Sequence, residues 1–186
     1  MRTILGGRGS MAQLAAFNLK AWIDAHRHLL RPPVGNALVF KDTDFQVMIV
    51  GGPNSRDDYH VDPYEELFYQ LEGDIVVKVI EDGRPRDIAV KEGDIFLLPP
   101  LVPHSPQRGP NTVGMVVERS RPAGDVDRFR WHCVKCGAML HEATLQVSDL
   151  GTQLRPVLEK MNAERALRTC KACGAFTPPP APARSG

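Results

Sequence analysis

Between Gly51 and His104 the chain reads GGPNSRDDYHVDPYEELFYQLEGDIVVKVIEDGRPRDIAVKEGDIFLLPPLVPH. Two segments rich in apolar and β-branched residues each end in a Gly-Asp step, at Gly73-Asp74 and at Gly93-Asp94. The same texture extends to both sides. Ala37–Phe40, Phe45–Val50, Glu66–Leu71, Ile75–Ile80, Asp87–Val90, Ile95–Leu98 and Val113–Glu118 are strand candidates, separated by turn signals such as Gly-Pro-Asn, Asp-Gly and Glu-Gly-Asp. Glu81-Asp82-Gly83-Arg84 suits a tight hairpin. Many short strands with glycine turns and no helix between them predict a mainly β fold, an antiparallel jelly-roll barrel of two sheets.

Such a barrel gives the polar residues of this stretch a common destination. His60 and Glu66 stand just before the first Gly-Asp step, and His104 follows the second. Strand geometry carries all three toward one place, as two imidazoles and one carboxylate. That donor set suits octahedral non-haem Fe(II) with positions left open for substrate and dioxygen. It requires neutral imidazoles and an ionised carboxylate. A lone histidine is more often surface or core filler; three donors at strand ends carry more weight. Glu65 competes with Glu66, but strand neighbours face opposite ways, so one of the two looks inward.

The remaining regions are simpler. Leu14, Phe17, Ala21, Trp22, Ala25 and Leu29 recur at helical spacing, which predicts a helix with one buried face over 14–30; alternatively Asn18 caps a shorter helix beginning near Leu19. Arg31-Pro32-Pro33 ends it. His26 and His28, two apart on that helix, cannot share a metal. Leu154–Leu167 has helical spacing, with Pro156 suited to its first turn. Four cysteines fall as Cys133-x-x-Cys136 and Cys170-x-x-Cys173, each pair followed by a glycine. In a reducing cytosol they read as a tetrahedral site for iron or zinc, with two disulfides as the alternative in an oxidised protein. His132 and His141 lie near in sequence, but four thiolates already complete a shell. Domains are therefore expected at 1–32 (extension and helix), 33–122 (barrel), 123–176 (metal-binding tail) and 177–186 (disordered, proline-rich).

Balanced charge, 23 basic against 22 acidic residues, argues against nucleic acid or an anionic membrane as a main partner. The apolar stretch Ile95–Val102 is broken by prolines and too short to cross a bilayer. The N-terminal residues lack the unbroken apolar core of a signal peptide, so a cytoplasmic enzyme is the default, with Met11 as a second candidate start.

The motif carriers also resemble a known family. Gly51 or Gly52, His60, Glu66 and Gly73 look like the first cupin motif, and Gly93, Pro99 and His104 like the second. Asp62 stands where a second histidine is usual, and Arg108 where an asparagine often follows. The phrases GGPNSRDDYH, EELFYQLEGD, KEGDIFLLPP, HSPQR and VVERSRPAG resemble the 3-hydroxyanthranilate 3,4-dioxygenase family, and the paired CxxC motifs its bacterial form; the likeness runs from about Asn18 to Gly174. PPLVPHSPQR departs at Leu101 and Pro103, where relatives often carry more polar residues.

The resemblance implies a cupin barrel and selects Glu66 over Glu65 by its spacing to Gly73. It implies catalytic Fe(II) on His60, Glu66 and His104, and a structural iron or zinc on Cys133, Cys136, Cys170 and Cys173. Arg108 is implied to hold the carboxylate of an aromatic substrate, Arg56 to stabilise negative charge on dioxygen, and Glu118 to meet the substrate hydroxyl or take its proton. By position alone, Glu118 is equally a rim residue paired with Arg119 or Arg121. Glu66, Asn36 and Pro106 are implied to border the substrate. The implied reaction opens the ring of 3-hydroxyanthranilate with O2, giving 2-amino-3-carboxymuconate semialdehyde and then quinolinate, in tryptophan catabolism or NAD biosynthesis. A homodimer is implied, with 19–29 or a barrel edge as contact. The rival readings are a metal-dependent cupin isomerase, disfavoured by Asp62, and a non-enzymatic ligand-binding cupin, which usually adds a helical pair.

Overall fold

Apolar and polar residues alternate along the strand candidates, and the computed structural model, which describes residues 15–31, 35–40, 43–147 and 150–181, turns that alternation into two antiparallel sheets. One sheet runs in the order β1 (Asn36–Leu38), β2 (Phe45–Gly51), β9 (Val113–Arg119), β4 (Glu66–Glu72), β7 (Ile95–Leu98). The other runs β11 (Met139–Leu145), β10 (Asp127–His132), β3 (Tyr59–Val61), β8 (His104–Arg108), β5 (Ile75–Glu81), β6 (Arg84–Val90). This is the jelly-roll architecture expected from the turns. Asp82 and Gly83, both at positive φ, make the two-residue turn between β5 and β6.

Residues paired across antiparallel strands share a face, so the register stacks the barrel interior in rows. Gln46, Glu118, Glu66 and Leu98 form one row; Met48, Val116, Phe68 and Phe96 the next; Asn36, Val50, Gly114 and Gln70 a third. On the facing sheet His104, Pro106 and Arg108 share one side of β8, opposite Val79, Val77 and Ile75. Phe68, Val116, Met48, Val77 and Val79 belong to one buried apolar cluster. It separates a row bearing acids from a row bearing amide and guanidinium.

Several expectations change. The first helix, α1, spans Leu19–His26 and continues as a 3-10 turn over Arg27–Leu29, because the Asn18 side chain accepts from the Ala21 N–H at 2.9 Å and caps it there. The shorter alternative holds. Its buried face carries Ile23 and, just beyond, Leu30, with Leu19 and Trp22 packed beside them, while Leu29 is 45% exposed. Leu14 and Pro32-Pro33 lie outside the described residues. The short strands β3 and β8 were not read from the sequence, since each spends its side chains on polar groups.

The boundary expected at Pro122 falls inside a sheet. β10 pairs with β3, placing Phe129 opposite His60. The second helix, α2 (Leu150–Ala163), begins earlier than expected, so Pro156 sits inside it and not in its first turn. Leu154 and Met161 of α2 pack with Phe129 and Trp131. Residues 177–181 are not disordered. Thr177 is buried, its N–H bonds the Arg168 carbonyl at 2.9 Å, and the Pro178 carbonyl accepts from the Arg168 guanidinium. Composition misled because bonds to the backbone and guanidinium of Arg168, rather than apolar burial, order this segment. Residues 182–186 lie outside the described residues.

Candidate functional site

Three strands deliver the donor trio. His60 (β3) and His104 (β8) are register partners with ring centroids 5.1 Å apart, and Glu66 opens β4. Glu66 is buried and Glu65 exposed, as strand alternation requires. The ligating atoms that His60, Glu66 and His104 offer lie within 4.8 Å of one another. Each histidine has one nitrogen already engaged. His60 Nε2 meets Asp127 Oδ1 at 2.7 Å, and His104 Nδ1 faces the Val102 carbonyl at 3.1 Å. Such contacts orient an imidazole and leave its other nitrogen for a metal.

Glu66 Oε2 lies 2.7 Å from His104 Nε2, yet it is buried without a hydrogen-bond partner. Close approach without hydrogen-bond alignment suits two donors aimed at a shared cation. Burial alone would raise the Glu66 carboxyl; the neighbouring His104 outweighs it and holds the group below its ordinary range, ionised as ligation needs.

Beside the trio stands an acidic wall. Glu118, from β9, is register partner to Glu66 and buried. Neither of its carboxylate oxygens has a hydrogen bond; Arg121 Nη1 approaches Oε1 to 3.3 Å without bonding alignment. Burial, with the Glu66 charge added, pushes Glu118 up to about 8. Arg119 instead lies over the Tyr64 ring at 4.7 Å, so of the two expected partners only Arg121 is near, and in the interior rather than at a rim. The Arg121 side chain is fully buried. Its Nη2 donates at 2.7 Å to both Asp62 and Asp127. Asp62 is thereby occupied, and it also accepts from the Tyr64 N–H. Arg56 donates through Nε to the buried Asp58 at 2.9 Å.

At the far end of the interior lies Arg108, 5% exposed. Burial lowers it to about 10, despite the opposing attraction of Glu66. Among the described residues its guanidinium makes one hydrogen bond, from Nη1 to Gln70 Oε1 at 3.2 Å. The other N–H groups keep their capacity for a planar anion. Pro106 shares its side of β8, and Asn36 sits in the Val50–Gly114–Gln70 row.

The cysteine lobe repeats one knuckle twice. Gly137 and Gly174, at φ +73° and +71°, return their N–H to the carbonyls of Cys133 and Cys170 at 2.9 and 2.8 Å. The four cysteines are free, with Cys133 Sγ 3.7 Å from Cys173 Sγ and Cys136 Sγ 3.6 Å from Cys170 Sγ. A tetrahedron with metal–sulfur bonds of about 2.3 Å has edges of about 3.8 Å. The thiols therefore fit one ion and are not in disulfide bonds. His132 and His141 stay outside this cluster.

Residues 11–162 match the sequence profile of the 3-hydroxyanthranilic acid dioxygenase family. The 3-hydroxyanthranilate 3,4-dioxygenase of Jannaschia sp. is 51% identical over 90% of this chain and 94% of its own length. That of Shewanella woodyi is 48% identical over 90% and 89%, and that of Neurospora crassa 49% over 84% and 87%. The chain belongs to the 3-hydroxyanthranilate 3,4-dioxygenase family. A cupin-2 domain protein from Shewanella frigidimarina also superposes, with a TM-score of 0.44 and 18% identity over 52% of this chain and 91% of that one.

In this member of the dioxygenase family, the residues singled out from sequence on β4, β8 and β9 converge on one interior. Asp58 and Asp127 were not singled out, and Arg121 was named only as a rim partner of Glu118, although all three hold or flank the convergent groups. Gln70 had a readable signal: Glu66, Phe68 and Gln70 alternate along β4, which puts a polar amide on the buried face. Asp127 had none, because it lies beyond the point where the barrel was expected to close.

Proposed function

We propose that the chain is a ring-opening dioxygenase that converts 3-hydroxyanthranilate and O2 to 2-amino-3-carboxymuconate semialdehyde, which closes to quinolinate. The observation that carries this reading is the buried His60–Glu66–His104 trio, whose free donor atoms face one another, in a chain of this family. The trio would hold Fe(II), and Cys133, Cys136, Cys170 and Cys173 a structural iron or zinc. Ferrous iron, if bound by this trio, would supply Lewis-acid and redox chemistry at that point.

The protein side chains do the rest. Arg108 grips the substrate carboxylate with its uncommitted N–H groups. The ring rests against the apolar row of Phe68, Val116 and Met48, beside Pro106, while Asn36 borders the carboxylate end. Held by both ends, the ring is presented in one orientation, which removes much of the entropic barrier. Glu118, register partner of Glu66, meets the substrate hydroxyl and takes its proton when ionised, a form that the charge of a cation bound at the neighbouring trio would favour. Arg56, fixed by Asp58, supplies positive charge where dioxygen becomes reduced. The isomerase reading loses support at Asp62, which Arg121 and the Tyr64 amide already occupy.

No helix among the described residues is long and apolar enough to cross a membrane, and we read the enzyme as cytoplasmic. We also read it as a homodimer. Ile95 and Leu97, 69% and 58% exposed, leave an apolar patch on the outer face of the first sheet for a second copy.

The test is anaerobic loading with Fe(II), followed by 3-hydroxyanthranilate and then air. Oxygen uptake with growth of a near-ultraviolet product band is expected; absence of oxygen uptake by iron-loaded protein rejects the reading.

A further inference from the structure

Gln70 is 1% exposed, and all of its polar capacity is committed. Its Nε2 donates to the carbonyls of Glu72 and Gly73, at 2.9 and 2.8 Å. Both amide protons are thus spent, the side chain cannot flip, and Oε1 is left facing Arg108 Nη1 at 3.2 Å. The backbone is pinned as well: Gln70 N–H bonds the Asp94 carbonyl at 3.0 Å, and the Gly93 N–H bonds the Gln70 carbonyl at 2.8 Å. The two Gly-Asp turns that organise the sequence therefore close on one residue. The first accepts the Gln70 amide through Gly73, and the second clamps its main chain. A register shift between Gln70 and Glu72 provides the bend.

Gly114, register partner of Gln70, supplies the space. A Cβ there would lie 2.8 Å from both Arg108 Nη1 and Gln70 Oε1, closer than real Cβ contacts allow. Asn54 fixes the Arg108 backbone from the other side, its Oδ1 accepting from the Arg108 N–H at 2.9 Å. The hydrogen bond on the guanidinium comes from a neutral amide, so among the described residues no carboxylate is bonded to it, and Glu66 acts on its charge only at longer range. A glutamate in place of Gln70 would form an ion pair with it.

We propose that Gln70 and Gly114 are positioning residues that set the orientation of the Arg108 guanidinium and reserve its charge for a carboxylate ligand, so that they determine specificity for an anionic aromatic substrate. The proposal rests on the reading of Arg108 as the carboxylate receptor.

Its test uses iron-loaded enzyme and two ligands that both offer adjacent hydroxyl and amine groups, 3-hydroxyanthranilate and 2-aminophenol, the latter lacking the carboxylate. Gln70→Glu is expected to raise KM for 3-hydroxyanthranilate about tenfold or more, with kcat changed less than about threefold. Anaerobic binding of 2-aminophenol should stay within about twofold of wild type. Gly114→Ala, which moves the guanidinium without adding charge, should shift KM the same way and serves as the deciding variant if Gln70→Glu does not fold. Equal weakening of both ligands, or a fall in kcat with KM unchanged, overturns the proposal. If wild-type enzyme binds 2-aminophenol but gains nothing from the carboxylate of 3-hydroxyanthranilate, the reading of Arg108 fails; if wild type gains and both variants gain equally, only the roles of Gln70 and Gly114 fail.

Discussion

The barrel interior and the cysteine lobe each gather donors for one ion, by opposite means. The barrel draws His60, Glu66 and His104 from three strands distant in sequence, buries them, and orients them through other residues: Asp127 on His60, the Val102 carbonyl on His104, Arg121 behind Asp127. The lobe writes the same two-cysteine knuckle twice and needs little beyond its own backbone, whose amides draw the Cys133 and Cys170 thiols downward. The open side of the first set suits chemistry, whereas the closed shell of the second suits structure.

The sharpest test of this contrast is Glu66→Ala, which should abolish barrel iron and cut turnover on the order of 10³-fold or more while the lobe keeps its metal; metal counts per chain check it. Cys170→Ser should do the converse. The lobe metal is lost and Tm falls by roughly 5–15 °C, while turnover per barrel iron changes less than about threefold. A large loss of turnover would break the contrast. A smaller effect is expected where the regions join. Arg168, 1% exposed, donates to Asp57 at 2.7 Å, and Trp131 Nε1 to the same carboxylate at 3.2 Å. Asp57 is partly solvated, so Arg168→Met should cost about 2–3 kcal/mol in chemical denaturation.

A further effect concerns pH. Glu118 rises from its ordinary 4.5 to about 8 on folding. The folded chain therefore keeps a proton that the unfolded chain releases, and the contribution, complete below 4.5, is lost as pH climbs through 8. In metal-free protein Glu118→Gln should raise Tm more at pH 9 than at pH 5, as thermal melts would show.

These contrasts also explain what could be read in the sequence. That one of Glu65 and Glu66 faces inward was legible because period-two alternation is local, while the choice of Glu66 came from the motif spacing to Gly73. The cysteine knuckles were legible because each is complete within a few residues. The roles of Arg121 and Asp127 were not, since they lie in partners distant in sequence, Asp62 for the one and His60 for the other. Thr177 was misread for a related reason: proline-rich composition speaks to burial, and its order comes from bonds to Arg168. The start of α1 stayed open between two readings because apolar spacing does not mark a helix's first residue, whereas the cap at Asn18 does.

One feature of the sheets limits how this protein can be shortened. β10 carries Asp127 against His60 and stacks Phe129 on the His60 ring, centroids 4.8 Å apart. A fragment cut at Pro122 would strip one imidazole of its brace and its ceiling together, while uncovering Asp57 next to Arg56. The segment bearing the first cysteine knuckle is thus stitched into the wall around His60, and the smallest fragment that keeps this brace must include it.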